Sequence, residues 1–433
     1  MSDVRRVAVV GAGMVGLATA WFLQEHGVEV TVLDRTGVAA GASWGNAGWL
    51  TPAIATPLPE PAVLRYGMRA VVSASSPVYV PPAADPRLAR FLAGFVRHST
   101  HGRWHTAMQA LLPLNERALA TFAHLTEHGV AAPTYPADPV LAAYRDATAV
   151  SGLEEEFRHI EAAGGHVDHS LVSGDEARRL EPALAGTVQA ALLIHGQRYL
   201  RPAEFVTALA AAVQERGARF VTGQEVLAVT DLGSHGARVD TAGDGTSVHD
   251  AVVVATGAWL SDLVAPHGVR QVVQAGRGYS FSVETEHMPR GPVYLPEARV
   301  ALTPLGERVR VAGMMELRRP DAPFDPRRIS AIVDSVRPLV RGVNLADRQD
   351  EWVGSRPVTA DGLPLVGRTR SARVFVAGGH GMWGITLGPV TGQLLAEQVV
   401  TGQVPAALTP FDPLRSLRWA PARLRREDAA RLR

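Results

Sequence analysis

Val7-Ala8-Val9-Val10 is an unbroken apolar run, the pattern of a strand buried on both faces of a parallel sheet. It leads through Gly11-Ala12-Gly13-Met14-Val15-Gly16 into a stretch that predicts a helix as far as His26, stopped by Gly27. Val28 to Leu33 reads as a second strand and ends at Asp34. The same short-strand and helix alternation returns later. It predicts a helix over Pro202 to Arg216, strands over 219–222 and 225–230, and a hairpin around Gly243-Asp244-Gly245. A buried strand over Ala251 to Ala255, another over Arg373 to Ala377, and a helix opened by Pro389 and ended near Gly402 complete that block. Between these segments the pattern changes. Leu88, Phe91, Leu92 and Phe95 recur at helical spacing behind an Asp85-Pro86 cap, and a longer helix is predicted over Thr106 to His128. From Gln271 to Ala312, alternating residues predict antiparallel strands joined at Leu305-Gly306-Glu307, followed by a helix near Pro326 to Val340.

This order predicts an α/β protein: a Rossmann-like domain with a second α+β substrate domain built on an antiparallel sheet. The first domain is expected to be discontinuous, from 1–55, 190–265 and 350–410, and the second to take 56–189 and 266–349. Proline clusters at 52–61 and 77–86 mark the exit from the first layer, and 411–433 reads as an arginine-rich surface tail.

Gly11, Gly13 and Gly16 stand where a strand hands over to a helix, in the spacing G-x-G-x-x-G. The first glycine makes the tight turn, the second admits a pyrophosphate to the backbone, and the third lets helix and strand pack closely. The helix then aims its free N–H groups and positive dipole end at that pyrophosphate. Asp34 closes the second strand, placed to accept hydrogen bonds from an adenosine ribose. Two other readings compete: Arg5-Arg6 and the apolar run as a twin-arginine signal peptide, or an ordinary βαβ unit with incidental glycines. The first lacks a cleavage site, and the second leaves Asp34 without a purpose.

Composition narrows the chemistry. The 433 residues, 46% hydrophobic and 20% charged, suffice for two cores, and a formal net charge of +1 offers no footprint for nucleic acid. No run of about twenty apolar residues predicts a transmembrane segment, so the chain reads as cytoplasmic or peripheral at the inner membrane face. Without cysteine or lysine, neither thiolate chemistry nor a Schiff base on a protein lysine is available. His166-Val167-Asp168-His169 reads as a solvated turn, since no third ligand motif accompanies it, and no metal site is expected.

Glycine-rich turns at both ends of the chain suggest one long ligand gripped from both. Gly11 to Gly16, Gly41-Ala42-Ser43 with Asn46-Ala47-Gly48, Ala255-Thr256-Gly257, Gly354-Ser355-Arg356-Pro357 to Gly367, and Gly379-His380-Gly381 resemble the flavin-binding motifs of the D-amino-acid oxidase superfamily. Arg277-Gly278-Tyr279-Ser280 and Gly313-Met314-Met315-Glu316-Leu317 are similar to its bacterial D-amino-acid dehydrogenase branch, the small-subunit type.

The resemblance implies that the dinucleotide is FAD. Gly11, Gly13, Met14, Val15, Gly16, Asp34 and Arg35 would hold its adenosine half, with backbone contacts from Val226. Ala42, Ala47, Thr256, Gly257, Trp259, Gly379 and His380 would continue the site. Ser43, Asn46, Gly48 and the turn with Gly381, Met382, Gly384, Ile385 and Thr386 would lie against the isoalloxazine. Trp44-Gly45 and Met382-Trp383 are unusual beside a flavin.

In such an enzyme the cofactor performs the oxidation and the protein positions the substrate. Arg356 is the candidate clamp for a substrate carboxylate, because a guanidinium meets a carboxylate through two parallel hydrogen bonds. Pairing with Glu351 or Asp361 is the competing reading. Tyr279 is a second catalytic candidate, as a hydroxyl donor to the same carboxylate; core packing competes. The implied reaction is hydride transfer from the Cα of an amino acid, foremost a D-amino acid, to flavin N5. The imino acid would hydrolyse to a 2-oxo acid and ammonia, and a quinone, an electron-transfer protein or O2 would take the electrons. Oxidation of a secondary amine such as sarcosine or proline, an NAD-dependent dehydrogenase, and a non-catalytic flavoprotein subunit remain alternatives.

Overall fold

The computed structural model describes residues 4–61, 76–81 and 84–415. The tail beyond Arg415 lies outside the described residues. Six strands build one sheet: β1 (Arg6–Val10), β2 (Glu29–Asp34), β3 (Arg219–Thr222), β4 (Ala251–Val254), β5 (Leu365–Arg368) and β6 (Val374–Gly378). Their order is β3-β2-β1-β4-β6-β5, parallel except for β5, which runs antiparallel to β6. Residues 7–9 and 251–254 are wholly inaccessible, as their apolar run requires of central parallel strands.

Four helices pack on this layer: α1 (Met14–Glu25), α2 (His101–Glu127), α3 (Pro202–Glu215) and α4 (Gly384–Thr401). α1 and α4 cross with almost no side chain between them. A Cβ on Gly388 would stand 2.7 Å from Met14 Cγ, and one on Gly392 2.6 Å from the backbone nitrogen of Thr19. α4 begins five residues before the predicted start at Pro389, because the Leu387 N–H donates to Trp383 O at 2.8 Å and closes a turn ahead of the proline. α2 likewise begins at His101, where Trp104 and Met108 bury the turn that polar neighbours disguise.

The second layer is a nine-stranded sheet centred on the long antiparallel strands Val343–Thr359, Val273–Thr285 and Arg308–Arg318. It continues through Val300–Leu305, Val293–Leu295, Val140–Tyr144, Ala190–Ile194 and His169–Ser173, and Val78–Tyr79 is the ninth strand, pairing with Arg308–Arg318. The predicted boundary at 350 falls inside one of these strands, and the segment expected to open the first layer at 190 begins with another. An apolar strand reads alike in either sheet, so its pattern cannot say which one it joins. The apolar face of α2 joins the core around Trp21 and Phe205, in the first layer, although 56–189 was expected to lie in the second.

Candidate active site

A crevice of about 350 Å³ opens at the carboxyl ends of β1, β2, β4 and β6, and reaches Ser355-Arg356-Pro357 on the last long strand. That is where an open α/β sheet binds its ligand. Gly11 has φ +113°, and a Cβ there would stand 2.5 Å from the carbonyl oxygen of Ala255. Gly13, at the N-cap of α1, brings no capping side chain, so the first helical N–H groups face the crevice. One is taken: the Met14 N–H donates to Ser43 Oγ at 3.2 Å, anchoring the small-residue loop beside the helix end. Asp34 accepts from the Ala12 N–H at 2.9 Å through Oδ2, and from Thr36 and Gly37 through Oδ1. A carboxylate has about four lone-pair positions, so room remains for a ribose hydroxyl.

Arg35 stacks over Trp259, 3.9 Å from the ring centroid, and pairs with Asp321 at 3.3 Å. The Trp259 indole N–H also donates to Asp321, at 2.9 Å, so a residue beyond the strand Arg308–Arg318 ties down this end of the crevice. Two buried polar atoms on crevice-lining residues, Thr256 Oγ1 and His380 Nδ1, have no hydrogen-bond partner among the described residues. Buried groups of this kind call for a ligand or ordered water. Together with the glycine cradle and uncapped helix end, they fit a bound dinucleotide.

His380 hydrogen-bonds through Nε2 with Thr391 Oγ1 at 2.9 Å, and burial pushes its pKa down to about 4. It is therefore neutral at physiological pH. Because the folded-state value lies below the unfolded one, the folded state binds fewer protons. Its contribution is whole above about pH 6.5 and is lost as pH falls toward 4. We expect His380→Asn to flatten that part of a plot of unfolding free energy, from denaturant titrations, against pH, by up to about 3 kcal/mol.

Arg356 projects from the edge strand over Gly278, where a Cβ would stand 2.3 Å from its Cζ. Its Nη1 donates to the carbonyl of Met314 at 2.8 Å. Met314 holds φ +61°, inside a β-bulge that sets Gly278 against more than one residue of Arg308–Arg318. Among the described residues no carboxylate pairs with Arg356: Glu351 is taken by Arg348 and Asp361 by Arg415. Burial lowers its pKa to about 10, which leaves it a cation at neutral pH. The crevice thus holds a guanidinium with donors to spare and no counter-ion.

Tyr279 does not share this site. Alternation along Val273–Thr285 puts Gly278 on the crevice side and Tyr279 on the opposite face, 1% exposed, where its hydroxyl donates to Glu316 at 2.7 Å. Arg277 and Arg318 brace the same carboxylate, so core packing accounts for Tyr279. Five expected cofactor residues, Gly16, Ala47, Gly48, Gly379 and Thr386, also stand off the crevice lining. Gly16 packs on Gly11, Gly48 on Leu200, and Gly379 on Thr359, while the Thr386 hydroxyl donates to Trp49 O. The other expected cofactor residues line the crevice. Trp44 lies instead under the guanidinium of Arg310, 5.0 Å away, so its bulk spares the crevice. Sequence reasoning missed Thr36, Leu263, Ser355 and Pro357 on the lining. Ser355 and Pro357 flank Arg356 within a motif already singled out; Leu263 carried no signal.

The chain matches the family described as FAD dependent oxidoreductase (DAO) over residues 6–398. It is 31% identical over 407 residues to a D-amino acid dehydrogenase of Cereibacter sphaeroides, covering 92% of each chain. It belongs to the DAO family of FAD-dependent oxidoreductases. A D-amino acid dehydrogenase of Azorhizobium caulinodans is 28% identical, over 93% of this chain and 98% of the relative. Among solved structures, the glycine oxidase of Geobacillus kaustophilus superposes with a TM-score of 0.73 at 24% identity, covering 95% and 99% of the two chains. Iminodiacetate oxidase from Chelativorans sp. does so at 0.68 and 20%, covering 94% and 99%. The DAO family member described here is thus an FAD-dependent amino acid or amine oxidoreductase with FAD as its cofactor, and its mixed parallel and antiparallel architecture is the family fold. Among the described residues no helix is long and apolar enough to cross a membrane.

Proposed function

We propose that this enzyme oxidatively deaminates a D-amino acid, yielding an imino acid that water converts to a 2-oxo acid and ammonia. Arg356 carries the reading: a crevice-lining guanidinium without a counter-ion is built for a substrate carboxylate. Bound FAD supplies the hydride acceptor. Gly11, Gly13, the N-terminus of α1 and Asp34 would hold its adenosine and pyrophosphate. Ser43, Asn46 and the turn from His380 to Ile385 would line its ring end. Arg356 fixes the substrate by its carboxylate, which leaves the α-amine and Cα–H as the free end, and the Met314 carbonyl and Gly278 backbone fix Arg356 in turn. No side-chain base is assigned. The substrate enters as the neutral amine, and His380 Nε2 is held by Thr391. D-chirality rests on the relatives, which are named D-amino acid dehydrogenases. Their name also favours a quinone or an electron-transfer protein over O2 as acceptor.

The test is anaerobic bleaching of the visible flavin absorbance by a panel of D-amino acids, L-amino acids and N-alkyl glycines. D-amino acids are expected to bleach it fastest. Preference for N-alkyl glycines would transfer the reading to secondary amines, and bleaching by none would make the chain a non-catalytic flavoprotein.

A further inference from the structure

A second cavity, of about 280 Å³, lies in the other layer and shares no lining residue with the flavin crevice. Its walls are aromatic: Trp104 from α2, Tyr144 from the strand Val140–Tyr144, and Tyr294 from Val293–Leu295. Glu60 and Glu156 both line it; burial raises the pKa of each, and the Glu156 charge raises that of Glu60 further. Glu156 is further held by Thr56, whose hydroxyl donates to it at 3.3 Å. One guanidinium, that of Arg299, stands near both carboxylates and near Tyr294, which it already engages. Among the described residues four glutamates, Glu60, Glu155, Glu156 and Glu297, line the cavity against one guanidinium, and burial, with the Glu156 charge second, pushes the pKa of Glu60 up to about 7. An independent sign of a missing partner is Tyr144. It is 2% exposed and lines the cavity, yet its hydroxyl has no hydrogen-bond partner among the described residues.

Ring faces attract a cation through their quadrupoles, and a carboxylate pair supplies the counter-charge. We infer that this cavity is a second binding site, for a small organic ammonium ion. The ion's charge lies between Glu60 and Glu156, its alkyl part lies against Trp104 and Tyr294, and an ammonium N–H donates to the idle Tyr144 hydroxyl. The flavin crevice makes the opposite choice: its Arg356 selects an anion and repels a bare ammonium.

Calorimetric titration of the flavin-loaded protein with n-butylammonium tests the inference, with 1-butanol as the neutral probe of similar shape. Saturable binding of n-butylammonium is expected, with none for 1-butanol. Glu156→Gln and Glu60→Gln should each weaken it roughly tenfold, about 1.4 kcal/mol, and Tyr144→Phe severalfold. Arg356→Ala should leave it unchanged. The two glutamates sit on different elements, so failure of one variant to fold leaves the other to report. Absence of saturable binding, unchanged affinity in the glutamine variants, or loss of binding in Arg356→Ala overturns the assignment.

Discussion

Arg356→Ala is expected to lower kcat/KM for the best amino acid roughly 10²- to 10³-fold while the protein stays yellow. Truncating one partner of a buried, hydrogen-bonded charge pair costs about 2–5 kcal/mol, and each 1.4 kcal/mol is about a factor of ten. The flavin should remain because Arg356 belongs to the strand Val343–Thr359 and is held by the Met314 carbonyl, and so forms no part of the glycine cradle. Arg356→Lys should recover only part of the loss, since an ammonium keeps the charge and forfeits the planar fork. Gly278→Ala supplies a test that leaves the guanidinium in the chain. Its Cβ would stand 2.3 Å from Arg356 Cζ, so the side chain must swing off its seat. KM for the carboxylate substrate should then rise with flavin content unaltered. Anaerobic reduction kinetics and the visible spectrum read both variants, and undiminished activity in Arg356→Ala would remove the clamp assignment.

The nucleotide end of the molecule was legible because its signals are local. A buried strand, three glycines and an acid at the next strand's end each follow from backbone geometry, and the structure brings Gly11, Gly13 and Asp34 to one crevice. Arg356 was legible through its motif neighbours. Tyr279 was not: alternation sets it with Arg277 and Phe281 on the face opposite Gly278, but which of the two faces meets the crevice depends on partner strands distant in sequence. The same limit applies to domain edges. Ala190–Ile194 is a plain apolar run and α2 has clear helical periodicity, yet which core they enter depends on contacts distant in sequence. Trp44 misled for a related reason: its bulk is taken up by Arg310, a partner on a distant strand.

Gly16→Ala is the second large effect, and here local propensity points the wrong way. Alanine is a better helix former than glycine by about 0.5–1 kcal/mol, so α1 alone would gain from the change. The packing decides otherwise. A Cβ on Gly16 would stand 2.0 Å from the carbonyl oxygen of Gly11 and 3.1 Å from its carbon, and that neighbour is backbone. Relief would require α1 to withdraw from β1. Its opposite side is closed by α4, where Gly388 and Gly392 already meet Met14 and the backbone of Ala18 and Thr19 without a Cβ between them. With retreat blocked, the cost should exceed the roughly 1–3 kcal/mol usual for overpacking, and the Gly11 turn on the crevice lining should deform with it. We expect Gly16→Ala to be recovered largely without flavin and with a clearly lower thermal midpoint. Gly186→Ala, with open space where its Cβ would go, should match the parent in both. A Gly16→Ala protein with parental flavin content and midpoint would show that α1 can move after all, and that the close approach of α1 to α4 does not hold it in place.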